Sequence, residues 1–321
     1  MIQQKQTISY KVISLFIKAV ILLLSIVYIF NKLVVANEVN FLIQELKASK
    51  LSYVVLVFVL MFVNWGLEAL KWQYLIKPLE HISFLKSLQS VFSGVTVSIF
   101  MPNRIGEFAG RIFYLEKADK IKATIKNFIG SISQLTVTLV FGLVAIAFAY
   151  YQNILRLDEI QIIKKNYWWI FLFLLLFFIS CFFFVKFYGA KFFGTKASYL
   201  EALYDVNYKQ WLYVFLLSIV RYIVFLMQFY ILLMAFDIQV AFQTAVTVIA
   251  LLFFVSSFIP SFATTEVITR GATAVYLFNL ADVDTSLVVV VSLLLWIINL
   301  AIPALLGGLF VWKMKFFKEK K

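Results

Sequence analysis

Six stretches of this chain are apolar for long enough to cross a lipid bilayer, at about 12–30, 51–70, 126–150, 167–187, 210–236 and 286–312. Roughly 20 apolar residues in a helix span the hydrocarbon core. The expected fold class is therefore an all-α polytopic membrane protein with about six transmembrane helices. Composition agrees. Of 321 residues, 63% are hydrophobic, against about 45–50% in a soluble domain. No charged or Pro/Gly-rich stretch is long enough to hold a separate soluble unit, so a single transmembrane domain, 1–321, is expected. The first run resembles a secretory leader with Val34-Val35-Ala36 as a weak cleavage site. It is longer than the usual leader core, so a retained first helix is expected.

Two further apolar runs are broken. Ser90–Met101 meets Pro102, and Val246–Ile259 meets Pro260. Each resumes as a short charged helix, expected at Ile105–Leu115 and Glu266–Phe278. Such segments suit re-entrant helical hairpins that dip into the membrane and return, with Pro102 and Pro260 as the breakers. Glu107 and Arg111 follow the first proline, and Glu266 and Arg270 follow the second. The i,i+4 spacing puts each pair on one helical face within ion-pairing reach. Gly110 and Gly271 flank the two arginines.

Each hairpin follows two spans and precedes one, which predicts a tandem duplication of about 10–150 and 167–312. Three spans per copy is an odd number, so the second copy is expected to be inverted. The lysines test this. With cytoplasmic termini, cytoplasmic segments hold 18 of them, Lys71 and Lys126 included. Outer segments hold Arg156 and five lysines. Positive charge gathers inside, so the inner membrane with cytoplasmic N- and C-termini is expected.

Arg104, Glu107, Arg111, Glu266 and Arg270 thus fall at or near hairpin tips. An ionised residue at the bilayer centre costs about 2.5–3.5 kcal/mol, so these must be paired or wet. Self-neutralising Glu–Arg pairs that fix each hairpin are the simpler use. Arg104 has no counterpart after Pro260, and a helix beginning there offers free N–H groups, with Gly106 letting an anion approach the backbone. Arg221, in mid-span, is expected to line a polar cavity or to hold a Glu or a carbonyl. Glu68 and Lys71, between Trp65 and Trp72, fit interfacial anchoring as well as function. The hydroxyls of Ser256, Ser257, Ser261, Thr264 and Thr265 either satisfy backbone freed by Pro260 or face the site.

The formal charge of +13 does not indicate nucleic acid, because the lysines sit in short loops beside headgroups. One histidine, His81, and one cysteine, Cys181, make neither a zinc site nor a Cys–His catalytic pair. No G-x-S-x-G, Walker loop, H-E-x-x-H or Asp-rich pair is present. No cofactor, metal or enzymatic activity is expected.

The segment "GVTVSIFMPNRIGEFAGRIFYL" resembles the signature of the lysylphosphatidylglycerol synthase transmembrane-region family, the flippase-like membrane proteins. The family's Pro-x-Arg-x-Gly-Glu motif and following Arg match Pro102, Arg104, Gly106, Glu107 and Arg111. The likeness extends over nearly the whole chain. The second motif departs: Ser261-Phe262-Ala263-Thr264-Thr265 stands where glycines are expected. The resemblance implies lipid translocation between leaflets. Its best-known members carry a cytosolic aminoacyl-transferase domain. With the sequence ending at Lys321, lipid aminoacylation is not expected. Candidate substrate-binding residues are Arg104, Gly106, Glu107, Arg111, Arg221, Glu266 and Arg270. Membrane lipids are the expected partners, as an anionic or aminoacylated phospholipid or a polyprenyl-phosphate lipid, with a lipid-synthesis enzyme as a possible associate. The alternatives are a membrane-embedded enzyme or accessory factor on lipid or polyprenyl-linked substrates, or a secondary transporter of a small anion.

Overall fold

The computed structural model describes residues 44, 46, 49–99, 101, 106–154, 207–259 and 263–311. The runs at 12–30 and 167–187, Pro102, Arg104, Pro260 and Cys181 lie outside the described residues. Every regular element among the described residues is helical: α1 (Leu51–Ile76), α2 (Phe84–Ser98), α3 (Gly106–Ile112), α4 (Lys120–Tyr151), α5 (Tyr208–Ala235), α6 (Phe242–Phe258), α7 (Ala263–Leu280) and α8 (Val288–Val311). Four of them, α1, α4, α5 and α8, are long and apolar enough to cross a membrane. They correspond to four of the six expected runs.

Helix starts are set by short polar side chains. Asp119 caps α4 by accepting from the N–H groups of Ile121 and Lys122. Asn207 and Gln210 form a reciprocal capping box on α5. These caps satisfy N–H groups that have no partner within the helix. They also place both helix starts outside the apolar run proper. α8 is continuous but contains a π turn at Ile297–Ala301, where the Ile302 N–H donates to Ile297 O.

α1 and α5 form the central pair and run antiparallel. Lys50 N–H donates to Ala235 O at 2.9 Å at one end. Gln228 Nε2 donates to Val57 O at 2.9 Å further along, and the rings of Tyr74 and Tyr213 lie 4.5 Å apart at the other end.

α2 and α3 form a tight helical hairpin. A Cβ on Gly110 would stand 2.3 Å from Gly94 Cα, and one on Gly106 would stand 2.5 Å from Val97 O. Only glycine permits that approach. The ends of the hairpin are tied by Glu80, whose carboxylate accepts from the N–H groups of Glu116, Lys117 and Ala118 at 2.9, 2.7 and 3.0 Å. Three converging N–H groups make an anion-holding nest, so the segment leaves close to where it began. α8 closes over α2: Thr96 Oγ1 donates to Ala304 O at 2.7 Å, and a Cβ on Gly307 would collide with Phe92 O.

The α3 helix is shorter than the expected Ile105–Leu115. Its last turn closes through Tyr114 N–H to Arg111 O and Leu115 N–H to Ile112 O. α7 is longer than the expected Glu266–Phe278. Gly271 has nothing within 4 Å of its Cβ position, so the two glycines beside the arginines do different things.

Candidate functional site: a buried charge cluster beside a donor-lined cavity

Each membrane-length helix carries an amide or guanidinium side chain near its midpoint: Asn64 on α1, Gln134 on α4, Arg221 on α5 and Asn299 on α8. These four meet. Arg221 Nε donates to Asn64 Oδ1 at 2.9 Å, and its Nη1 donates to Gln134 Oε1 at 3.4 Å. Asn64 Nδ2 donates in turn to Asn299 Oδ1 at 3.3 Å. Arg221 also lies over the Trp65 ring, 5.2 Å from its centroid. Among apolar helices such a set is costly unless mutually satisfied.

Arg221 faces two ways. On one side its Nη1 pairs with Glu68 Oε2 at 2.9 Å. Glu68 is also held by Lys71 at 2.7 Å and by Arg111 at 2.8 Å. Arg111 completes its contacts with Asn127 Oδ1 at 2.9 Å and Glu107 Oε2 at 3.0 Å. Glu68, Lys71 and Arg111 are all buried, at 4%, 2% and 4% exposure. Two carboxylates thus face three cations in one contiguous cluster. Removing one member of such a cluster is far costlier than never having built it.

On its other side Arg221 lines a partly open cavity of about 230 Å³ bordered by α1, α4, α5, α6, α7 and α8. Arg270 of α7 reaches the same cavity and is held by Glu266 at 2.9 Å. Ser256, Ser257 and Ser292 add hydroxyls, and Trp65, Tyr222, Phe253 and Trp296 add aromatic walls.

The sequence candidates therefore separate. Arg221 and Arg270 reach the cavity, with Glu266 behind Arg270. Both Glu–Arg pairs form at the expected i,i+4 spacing. Glu107 and Arg111, however, belong to the buried cluster, and Gly106 serves close packing on Ser98. Among the described residues, none of the α2–α3 hairpin lines the cavity, and the hairpin residues that line it belong to α6 and α7. The first hairpin connects to it, among the described residues, through Arg111, Glu68 and Arg221, and through Phe92 against the Trp65 ring. Arg104, Ser261 and the side chains of Thr264 and Thr265 lie outside the described residues. Of the remaining hydroxyls, Ser257 bonds its own helix at Phe254 O, whereas Ser256 has no partner.

Two readings need correction. Glu68 and Lys71 are not interfacial anchors, because they and both neighbouring tryptophans are buried inside the helix bundle. Lys71 and Lys126, counted among the cytoplasmic lysines, are each 2% exposed. They are structural cations, and the charge asymmetry stands without them. Sequence reasoning passed over Asn64, Gln134 and Asn299. Their signal was an amide at mid-span in otherwise apolar helices. Among the described residues, no group of His, Cys, Asp and Glu could hold a metal ion.

Residues 12–307 match the profile of a family described as the lysylphosphatidylglycerol synthase TM region. Comparison with curated proteins and with solved structures gave no match.

Proposed function

Because the chain belongs to the lysylphosphatidylglycerol synthase TM-region family, and is thus a multi-pass membrane protein related to lipid modification or translocation, we propose that it moves a charged lipid headgroup between leaflets. The headgroup passes the cavity at Arg221 and Arg270 while the acyl chains stay in lipid. The observation that carries this reading is the meeting of four mid-span polar residues beside an open, arginine-bearing cavity. No catalytic role is assigned to any residue.

Alternating access fits the architecture. α1, α2 and α3 begin at 51, 84 and 106, and α5, α6 and α7 at 208, 242 and 263, a constant offset of 157 or 158 residues (208 − 51, 242 − 84, 263 − 106). The antiparallel packing of α1 against α5 supports inversion of one copy relative to the other. The Glu80 nest supports a re-entrant first hairpin, since it holds both ends of that hairpin together. With the lysine distribution, these favour the inner membrane and cytoplasmic termini.

A second reading is an accessory factor for a lipid-synthesis enzyme. It is favoured by the engagement of both terminal nitrogens of Arg111 with Glu68, Asn127 and Glu107, which holds that conspicuous motif arginine inside the protein. Proteoliposomes distinguish the two. Labelled anionic, zwitterionic, aminoacylated and polyprenyl-phosphate lipids are placed in one leaflet and their headgroup movement is followed for wild type and Arg270→Gln. Movement of one class, lost in the variant, supports translocation through this cavity. Movement that survives removes the cavity as the route. A folded protein that moves no lipid leaves the accessory reading.

A further inference from the structure

The two halves of the chain match in their contacts as well as in helix order. Asn64 and Arg221, 157 positions apart (221 − 64), bond each other. Their further partners, Asn299 and Gln134, lie 165 positions apart (299 − 134). Gly142 and Gly307 keep the same interval (307 − 142). A Cβ on Gly142 would collide with Phe254 of α6, and one on Gly307 with Thr96 of α2. Phe254 and Thr96 are themselves 158 apart (254 − 96), the interval between Pro102 and Pro260.

At these intervals the buried cluster has a counterpart. Glu68, Arg111 and Asn127 fall on Phe225, Arg270 and Ser292 (225 − 68 = 157, 270 − 111 = 159, 292 − 127 = 165), and all three of the latter border the cavity. The first set is closed, with Arg111 bonded to Glu68 and Asn127 and its side chain 4% exposed. The second is open. Arg270 pairs with Glu266 of its own helix and is 33% exposed. Phe225 carries no charge and stacks on Phe253, and the Ser292 hydroxyl has no hydrogen-bond partner. The cavity stands where the cluster's counterpart has not closed.

The sequence accounts for the difference. Gly94 and Gly110 let α2 and α3 meet backbone to backbone. At the matching positions stand Leu252 and Thr269 (252 − 94 = 158, 269 − 110 = 159), whose side chains rule out so close a seat. Moving α3 would also strip Arg111 from Glu68 and strand buried charge. α7 instead carries its own neutralising pair, Glu266 and Arg270 at i,i+4. Gly271 has nothing within 4 Å of its Cβ position, so α7 has space beside it.

Building on the translocase reading, we propose that the two halves work unequally. The first hairpin is a fixed strut latched by Arg111 on Glu68 and Asn127, and α7 is the moving wall that opens and closes the cavity. Closure carries Arg270 toward Ser292, as Arg111 already meets Asn127. The molecule thus gates on one side, rather than exchanging the roles of its halves.

The test measures spin-label distances in the full chain, in a Cys181→Ser background, in nanodiscs of mixed anionic and zwitterionic phospholipid. One pair, Tyr276→Cys with Tyr151→Cys, sets α7 against the end of α4. The other, Lys117→Cys with Leu212→Cys, sets the foot of α3 against α5. All four positions are exposed. The α7 pair should show two distance populations and the α3 pair a single narrow one. Phe225→Glu, which offers Arg270 the carboxylate that Glu68 offers Arg111, should collapse the α7 pair to one population, whereas Phe225→Gln should leave both. Thermal melts show which variants are folded, and the two wild-type distributions decide by themselves if Phe225→Glu is not. A single narrow α7 population, or α3 and α7 pairs equally broad, overturns the proposal. Two α7 populations in a protein that moves no labelled lipid in liposomes keep the moving wall and remove only the translocase.

Discussion

Arg221 reaches across the antiparallel pair of α1 and α5 to place its guanidinium 2.9 Å from Glu68. This contact joins the cavity wall to a carboxylate on which Lys71 and Arg111 also converge. Among the described residues, Glu68 is thus an anion shared by α1, the first hairpin and α5.

Replacing Glu68 by Gln leaves those three cations adjacent, with Lys71 and Arg111 buried. The expected loss is about 3–5 kcal/mol, the range for an orphaned buried charge, read as a lower melting temperature in detergent. Glu68→Gln with Lys71→Met removes a charge of each sign and should recover part of that loss. A double variant no better than the single would mean that Lys71 is not coupled to Glu68.

The two glycines beside the hairpin arginines should respond in opposite ways. Gly110→Ala forces a methyl against the Gly94 backbone and should destabilise by about 1–3 kcal/mol through overpacking. Gly271→Ala enters open space in mid-helix and should be neutral or stabilising by up to about 1 kcal/mol from helix propensity. Equal melting shifts for both would contradict the close contact of α2 with α3.

Glu80 makes the hairpin base acid-sensitive. Burial opposes its charge, but the N–H groups of Ala118, Lys117 and Glu116 and the Lys86 ammonium outweigh burial and hold the carboxyl below its ordinary 4.5. A depressed folded value means the stabilisation is complete above the unfolded value near 4.5 and is lost as pH falls through the folded one. Glu80→Gln should lower the melting temperature at pH 7 and flatten its decline below that range. The loss at neutral pH is about 1.5 kcal/mol, the low end for charge-assisted bonds at a partly solvated site.

The central pair predicts a cross-link. In a Cys181→Ser background, Tyr74→Cys with Tyr213→Cys should join through a short bismaleimide, because the two rings lie 4.5 Å apart. Tyr74→Cys with Tyr230→Cys should not. Cross-linking of the second pair alone would mean that α1 and α5 run parallel.

Much of this architecture could be read from the apolar runs and the prolines, because span length and i,i+4 spacing are local properties of the chain. α1, α4, α5 and α8 fall on the expected runs, and Glu107–Arg111 and Glu266–Arg270 pair as their spacing demands. The site was less legible. Glu68 and Lys71 lie next to tryptophans at the end of an apolar run, and nothing local distinguishes an anchor from a buried hub. What decides is the arrival of Arg111 and Arg221 from distant segments. Asn64, Gln134 and Asn299 are uncharged and isolated in sequence, and only their convergence makes them a set. Gly106 has a packing use that its sequence neighbourhood does not suggest: a Cβ there would meet Val97 O and the Ser98 backbone.

The π turn of α8 gives one helix two duties. An extra residue in a single turn rotates everything beyond it by about 100° relative to an unbroken 3.6-residue spiral. Before the turn, α8 offers Ser292 and Trp296 to the cavity. Past it, Thr96 bonds the Ala304 carbonyl and Gly307 seats on α2. Pro303, which has no N–H to donate, stands just beyond the bulge. Trp296 and Gly307 would otherwise lie within about 20° of one azimuth. The bulge resets the phase of the spiral, so the same helix can be wall on one half and keystone on the other.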